Sequence, residues 1–201
     1  MNPSGIRYLK LILFFLSLAP ALLLLEGALD DALGTNPVET LVRSTGDWTL
    51  RFLLITLLIT PLRNLTGQGL LLRLRRMLGL FAFFYACLHL SLYIGLDKYL
   101  YWDEILRDIY KRPFITIGML AFLMLVPLAV TSTNAMMRRL GRNWVRLHKL
   151  VYLIAIAAVV HFYMLVKADV TEPLIYGTIL TILFIFRLPR VRRWRPLKDS
   201  R

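Results

Sequence analysis

The stretch MLGLFAFFYACLHLSLYIGL, residues 77–96, decides the fold class of this chain. It contains no Asp, Glu, Lys or Arg side chain, and two arginines, Arg75 and Arg76, come directly before it. A helix that crosses the hydrocarbon core of a bilayer needs about 20 mostly apolar residues. The stretch therefore predicts a transmembrane helix that carries one histidine, His89, inside it.

Five further segments have a similar composition. The chain has 201 residues, of which 58% are hydrophobic, and this excludes a disordered tail and an ordinary water-soluble domain. We keep the first segment as a span, since no small-x-small cleavage site of a signal peptide follows it. The second contains Arg51 near its start, and the sixth is short. We predict an all-α integral membrane protein, a single domain over residues 1–201, with six spans at 9–25, 45–62, 77–96, 114–131, 145–166 and 174–188.

The charges sort by side once six spans are assumed. One side holds 18 of the 25 Lys and Arg residues and a single acid, Asp199, whereas the other holds seven basic and eleven acidic residues. Cytoplasmic loops are enriched in Lys and Arg, so we predict that both termini are cytoplasmic. The net charge of +13 then mainly sets orientation and attracts anionic lipid. No motif with interleaved aromatic residues indicates binding of nucleic acid.

All three histidines lie within or at the edge of predicted spans, where an ionisable residue by default indicates function. From the helix rise, His89 lies about 20 Å and His161 about 22 Å from the cytoplasmic ends of their helices. Two neutral imidazoles at similar depth on different helices suit a haem iron. Aromatic residues that could line a flat ligand there are Phe83, Phe84, Tyr85, Tyr152, Phe162 and Tyr163.

His148 lies near the cytoplasmic end of the fifth span. Its partner position on the third helix, near residues 75–77, carries arginine and methionine side chains, so no second histidine pair is completed. For His148 we therefore leave iron binding and interfacial packing open. For the other two histidines the alternatives are a hydrogen bond across helices or a zinc site, and zinc would need a further donor. A proton relay would need acids in the middle of the spans, and the sequence places none there.

Several motifs, in order along the chain, carry a family resemblance. They are GDW at 46–48 with TPLR at 60–63, RRMLGL at 75–80 with YACLH at 85–89, KRPFITIGM at 111–119 with PLAVTS at 127–132, and LGRNWVRLHKLVY at 140–152 with HFY at 161–163. This ordered set covers essentially the whole chain and resembles the MsrQ family, also called YedZ, of the ferric-reductase-like transmembrane group.

The resemblance implies a haem-binding subunit of the bacterial inner membrane. It implies one or two b-type haems and an associated FMN. Electrons would come from the quinone pool or a cytosolic flavin reductase. They would go to a periplasmic, molybdopterin-containing methionine sulfoxide reductase that repairs oxidised periplasmic proteins. The haem-associated histidines of the family match His89, His148 and His161 in this sequence.

The residues and the resemblance agree on an electron-transfer subunit that does not act on the final substrate by itself. The chain has neither a G-x-G-x-x-G nor a P-loop motif, so a partner is required. Residues 26–44 and 97–112 are candidate docking surfaces, although the mixed charge of the second also fits a solvated interfacial helix. The FMN phosphate could meet cytoplasmic arginines, namely Arg75, Arg76, Arg138 and Arg139. The alternatives are another transmembrane cytochrome b or ferric-reductase-like carrier, a cofactor-free transporter, and an assembly factor.

Overall fold

The computed structural model describes residues 3–166 and 168–187, and this part of the chain is α-helical without strands. In chain order the helices are α1 (Pro3–Leu29), α2 (Pro37–Thr66), α3 (Leu72–Leu92), α4 (Trp102–Lys111), α5 (Pro113–Val130), α6 (Asn134–Leu140), α7 (Arg142–Leu147), α8 (Leu150–Leu165) and α9 (Thr171–Ile185). A 3-10 turn (Gly69–Leu71) precedes α3, and a π-helical turn (Tyr93–Asp97) extends it. The last predicted position of the sixth span, residue 188, and the basic tail lie outside the described residues.

Within the described residues, four helical stretches are long and apolar enough to cross a membrane: Gly5–Leu29, Gly69–Asp97, Pro113–Val130 and Arg142–Leu165. They correspond to the predicted spans 9–25, 77–96, 114–131 and 145–166. The remaining two segments differ, because α9 is apolar but shorter, and α2 carries Asp47 and Arg51 in its apolar part. Crossing by α2 and α9 therefore stays a prediction, and so does the cytoplasmic location of the termini.

Two helix pairs form the centre of the fold. Helix α2 packs along α3, and helix α5 packs along α8. Leu57 on α2 and Ile154 on α8 are fully enclosed, whereas Phe15 on α1, Leu153 on α8 and Leu174 on α9 are more than half exposed. Lipid tails are as apolar as a leucine side chain, so this outward apolar surface is expected of helices that face lipid.

Helix α1 is tied to this centre through Tyr85 of α3. The buried Tyr85 hydroxyl donates a hydrogen bond of 2.8 Å to the Ser17 carbonyl and accepts one of 3.1 Å from the Ala21 N–H. These two groups would otherwise bond to each other in the helical i to i−4 pattern. The hydroxyl therefore stands between two turns of α1 and links that helix to α3.

Helix α2 begins well before the predicted span 45–62. The Asn36 side chain caps it by accepting from the Glu39 N–H, and Pro37 lies in its first turn, where a missing N–H costs nothing. The helix ends at Gly67, whose φ of 70° is the left-handed conformation that glycine adopts most readily. The early start brings Val42 into the helix, one turn before Gly46, and both residues belong to the site described next.

Candidate functional site

His89 on α3 and His161 on α8 face each other across the two helix pairs. Their ring centroids are 6.3 Å apart, and the ring planes are inclined by 82°. The sequence placed these residues at similar depth, and in the structure they come together at one point. No Asp, Glu or Cys completes a group of three metal donors with them anywhere in residues 3–166 and 168–187. The pair thus offers two of the four donors that a structural zinc site uses.

Each histidine of the pair is held through Nδ1 by a main-chain carbonyl of a neighbouring helix. His89 Nδ1 lies 2.8 Å from the Val42 carbonyl oxygen on α2, and His161 Nδ1 lies 2.6 Å from the Phe114 carbonyl oxygen on α5. A carbonyl oxygen only accepts, so Nδ1 must carry the proton and donate. In the neutral imidazole, Nε2 then keeps a free lone pair, which is the state a metal ligand needs.

A glycine lies against each ring. A Cβ built on Gly118 of α5 would be 2.8 Å from Nδ1 and 2.9 Å from Cε1 of His161. A Cβ built on Gly46 of α2 would be 3.1 Å from both Nδ1 and Cε1 of His89. Any larger residue would therefore displace the rings, above all at Gly118.

The two halves of the site repeat each other. In both, the carbonyl that binds the histidine precedes that histidine by 47 residues, and the glycine follows the carbonyl residue by one helical turn. The pair α2–α3 thus holds His89 in the same way as the pair α5–α8 holds His161. From the sequence alone, Val42, Gly46, Phe114 and Gly118 were not assigned to the site, although Gly46, Phe114 and Gly118 lie within the quoted motifs. The overlooked signal is the equal spacing of each glycine to its histidine.

The aromatic residues near the pair have partners of their own. Tyr85 stacks on Phe52 with centroids 5.3 Å apart, and Phe83 stacks on Phe122 at 6.0 Å. Phe114 lies 6.1 Å from the ring of His161, and this neighbour was not among the expected lining residues. The remaining residues of that predicted set are placed as follows: Phe162 against Tyr176, Tyr152 against Phe184, and Phe84 and Tyr163 exposed.

His148 lies apart from the pair, directly after α7. Its Nε2 is 3.1 Å from the hydroxyl of Thr131, and its ring stacks on Trp144 with centroids 3.9 Å apart. Trp144 in turn donates to the Thr131 carbonyl at 2.9 Å. Arg76 of α3, at the position considered for a partner of His148, donates a hydrogen bond to the side-chain oxygen of Asn134 on α6. The structure therefore gives His148 a protein hydrogen-bond partner and brings neither of the other histidines to it.

Arg51 of α2, near the start of the predicted second span, is partly buried. Its Nε donates a hydrogen bond of 2.9 Å to the Tyr176 hydroxyl on α9, and its guanidinium carbon lies 4.9 Å from the centre of the Trp48 ring. A cation over an aromatic face is stabilised by the ring quadrupole. Arg51 thus connects α2 to α9.

Comparison with known proteins adds a family. Residues 45–159 match the model of the family described as ferric reductase like transmembrane component. Several relatives bear the name protein-methionine-sulfoxide reductase heme-binding subunit MsrQ. The one from Herminiimonas arsenicoxydans is 48% identical over 190 residues, covering 93% of this chain and 87% of its own. The one from Xanthomonas euvesicatoria pv. vesicatoria (strain 85-10) is 54% identical over 171 residues, covering 85% and 76%. No solved structure matches the chain.

Proposed function

The chain belongs to the MsrQ family within the ferric-reductase-like transmembrane components, and on this premise we propose that it is the membrane haem b electron-transfer subunit of a methionine sulfoxide reductase system. It is a multi-pass membrane protein. The observation that carries the proposal is the meeting of His89 and His161, each with Nδ1 bound and Nε2 free.

The pair fits a haem iron by distance. A metal–imidazole bond is about 2.0 Å long, so two imidazoles that bound one metal would have ring centroids up to roughly 6 Å apart once the ring radii are added. The observed separation is 6.3 Å. Binding through Nε2 would leave both carbonyl hydrogen bonds in place. Gly46 and Gly118 provide the space in which both rings keep these positions.

Bound haem would supply one-electron oxidation and reduction. The residues of the chain hold and orient it. A carbonyl that accepts from Nδ1–H fixes the tautomer and ring orientation and makes Nε2 a more basic ligand. We place the haem at the pair, because His148 has a hydrogen bond to Thr131 at the nitrogen that a second iron would need.

The distribution of charge supports a direction for electron flow. Basic residues gather where α3 begins and where α6 and α7 lie, and we propose that this is the cytoplasmic face of the inner membrane. Electrons would enter there from quinol or a cytosolic flavin reductase and leave on the periplasmic side to a molybdenum-containing catalytic subunit. An FMN phosphate would be met at the same basic face by arginines, namely Arg75, Arg76, Arg138 and Arg139.

A second candidate is a ferric-reductase-like electron carrier with another acceptor. The match of residues 45–159 favours it, because the family's description names a ferric-reductase-like transmembrane component and no methionine sulfoxide reductase. The histidine pair would serve both functions equally.

One experiment tests the proposal and separates the two candidates. The full chain is purified in detergent after growth with ample haem, and spectra are recorded in oxidised and reduced form. We expect a low-spin b-type spectrum. The reduced protein is then mixed without oxygen with the molybdenum-containing subunit of a related methionine sulfoxide reductase and methionine sulfoxide. A parallel sample of the reduced protein is mixed with a ferric chelate instead. Reoxidation that requires both the molybdenum-containing subunit and methionine sulfoxide supports the proposal, whereas reoxidation by the ferric chelate alone supports the second candidate. A colourless protein contradicts both.

A further inference from the structure

Helix α4 lies between two membrane-crossing stretches. The first ends at Asp97 and the next begins at Pro113, so both ends of the intervening segment are held at the same side of the membrane. Ten residues of helix are about 15 Å long. A helix of this length, held by both ends at one side of two spans, lies close to the surface of the bilayer.

The rotation of α4 about its axis is set by an ion-pair cluster on its protein side. Asp108 Oδ2 is 2.8 Å from Lys98 Nζ and accepts a hydrogen bond of 3.1 Å from the Tyr93 hydroxyl. Asp108 Oδ1 is 3.1 Å from Arg112 Nε. Ile105, one turn before Asp108, is only 3% exposed. These contacts determine which residues α4 directs away from the protein.

A stripe of large apolar side chains runs along one exposed side of α4. Trp102, Leu106 and Tyr110 are 61%, 64% and 89% exposed. At 100° per residue they cover about 80° of the helix circumference. The next ~100° are occupied by exposed charged residues, namely Asp103, Arg107, Lys111 and Glu104. The helix therefore has three distinct sides, one toward the protein, one apolar and one charged.

We propose that α4 is an interfacial helix that lies flat on the membrane, with Trp102, Leu106 and Tyr110 inserted among the lipid headgroups and upper acyl chains. Its charged side then faces water. Short amphipathic helices with aromatic residues on the apolar face bind bilayers in this way.

The residue types and connections of α4 favour lipid over a protein partner for the stripe. Trp and Tyr, which make up most of it, are the residues enriched at membrane–water interfaces, where the ring is buried and the polar atom stays hydrated. The turn before α4 adds Tyr99, Leu100 and Tyr101, all more than half exposed, at the same end as Trp102. Both connections to spans keep this surface within reach of the bilayer without any partner. A soluble partner would instead meet the charged side.

The test uses the full chain in lipid nanodiscs. Cys87 is the single cysteine, so Cys87→Ala gives a background for single cysteines that carry a spin label. Labels at Trp102→Cys, Leu106→Cys and Tyr110→Cys are compared with labels at Asp103→Cys, Arg107→Cys and Lys111→Cys on the same helix. For each, the collision rate with oxygen, which concentrates in lipid, is divided by that with a water-soluble nickel chelate.

We expect the oxygen-to-nickel ratio to be severalfold higher at the three apolar positions than at the three charged ones. Equal or reversed ratios would overturn the proposal and leave the stripe open to a protein partner. A second measurement avoids the labels. Brominated lipid should quench less of the tryptophan emission in Trp102→Phe than in wild type, and quenching unchanged by this substitution also contradicts the proposal.

Discussion

Gly118 on α5 lies so close to the ring of His161 on α8 that a Cβ at this position would be 2.8 Å from Nδ1. The same helix holds that nitrogen through the Phe114 carbonyl, one turn earlier. The ring therefore cannot retreat from an added methyl group without breaking its hydrogen bond. Gly46 stands in the same relation to His89, with somewhat more space. Both glycines are positioning residues for the histidine pair.

We expect Gly118→Ala to lower the haem content of the purified protein strongly and Gly46→Ala to lower it less. Overpacking a closed site costs about 1–3 kcal/mol, and the closer contact is the one at Gly118. The haem-to-protein ratio and the reduction potential are measured together, because a ring that is merely turned would shift the potential before haem is lost.

The matched control is Gly177→Ala. A Cβ there would meet Val159 at 3.6 Å, which is an ordinary contact, so this variant should keep the spectrum of the wild type. If Gly118→Ala were as unaffected as Gly177→Ala in both haem content and potential, the positioning role would be wrong, whether or not the histidines bind iron.

Tyr85→Phe should loosen α1. The substitution removes a buried hydroxyl that bonds to both Ser17 and Ala21, and such a loss costs about 1 kcal/mol or more. Thermal unfolding in detergent and protease cleavage within α1 report the effect. Tyr110→Phe, at a position that is 89% exposed, is the control and should change neither. Equal behaviour of the two variants would mean that Tyr85 does not anchor α1.

Asp108→Asn should destabilise the protein at neutral pH. Burial acts to raise the pKa of Asp108, but the hydrogen bonds from Lys98 and Tyr93 and the charges of Lys98 and Arg112 together outweigh it and hold this pKa below its usual value. A lowered pKa means that the carboxylate stabilises the fold above its unfolded-state pKa, about 3.9, and that this contribution is lost as pH falls through the folded-state pKa. We expect a loss of about 1–2 kcal/mol near neutral pH.

The pH dependence distinguishes this charge effect from a packing defect. The difference in unfolding free energy between wild type and Asp108→Asn should persist from neutral pH down to about pH 4 and shrink below it. Asp103→Asn, at an exposed position of the same helix, is the control, and we expect it to change the unfolding free energy at neutral pH by less than about 0.5 kcal/mol. A difference that stays constant down to the lowest pH at which the protein remains folded would rule out the carboxylate's charge as its cause.

Arg51 and Tyr176 should be energetically coupled. A double-mutant cycle with Arg51→Met and Tyr176→Phe is expected to give about 0.6 kcal/mol, the average for polar contacts between membrane helices. The cycle is measured by thermal unfolding of the four proteins in one detergent. Additive effects would show that the 2.9 Å hydrogen bond between α2 and α9 contributes no stability.

The meeting of His89 and His161 was predictable because depth in a membrane follows from sequence. Each residue adds a fixed rise, and the arginines before each helix mark its start, so two positions on separate helices can be compared by counting. The apolar helices were predictable for the same reason, since the bilayer sets their length.

The hydrogen-bond partners of the pair could not be derived in this way. The Val42 and Phe114 carbonyls reach the histidines because α2 lies beside α3 and α5 lies beside α8. Every residue has a main-chain carbonyl, so the residue type does not show which one is used. The start of α2 was missed because the apolar run begins at residue 45, whereas the helix is capped by Asn36 in a polar stretch. The hydrogen bond from Arg51 to Tyr176 depends on which helices are neighbours, and hydropathy does not specify this.

The central claim is that His89 and His161 bind one haem iron between them. The most direct test is the haem-to-protein ratio of His89→Ala and His161→Ala, purified beside the wild type and His148→Ala. We expect either of the first two substitutions to remove the low-spin haem completely, whereas His148→Ala should retain it with its spectrum unchanged. A full haem complement in His89→Ala or in His161→Ala would show that these two histidines do not bind the iron together.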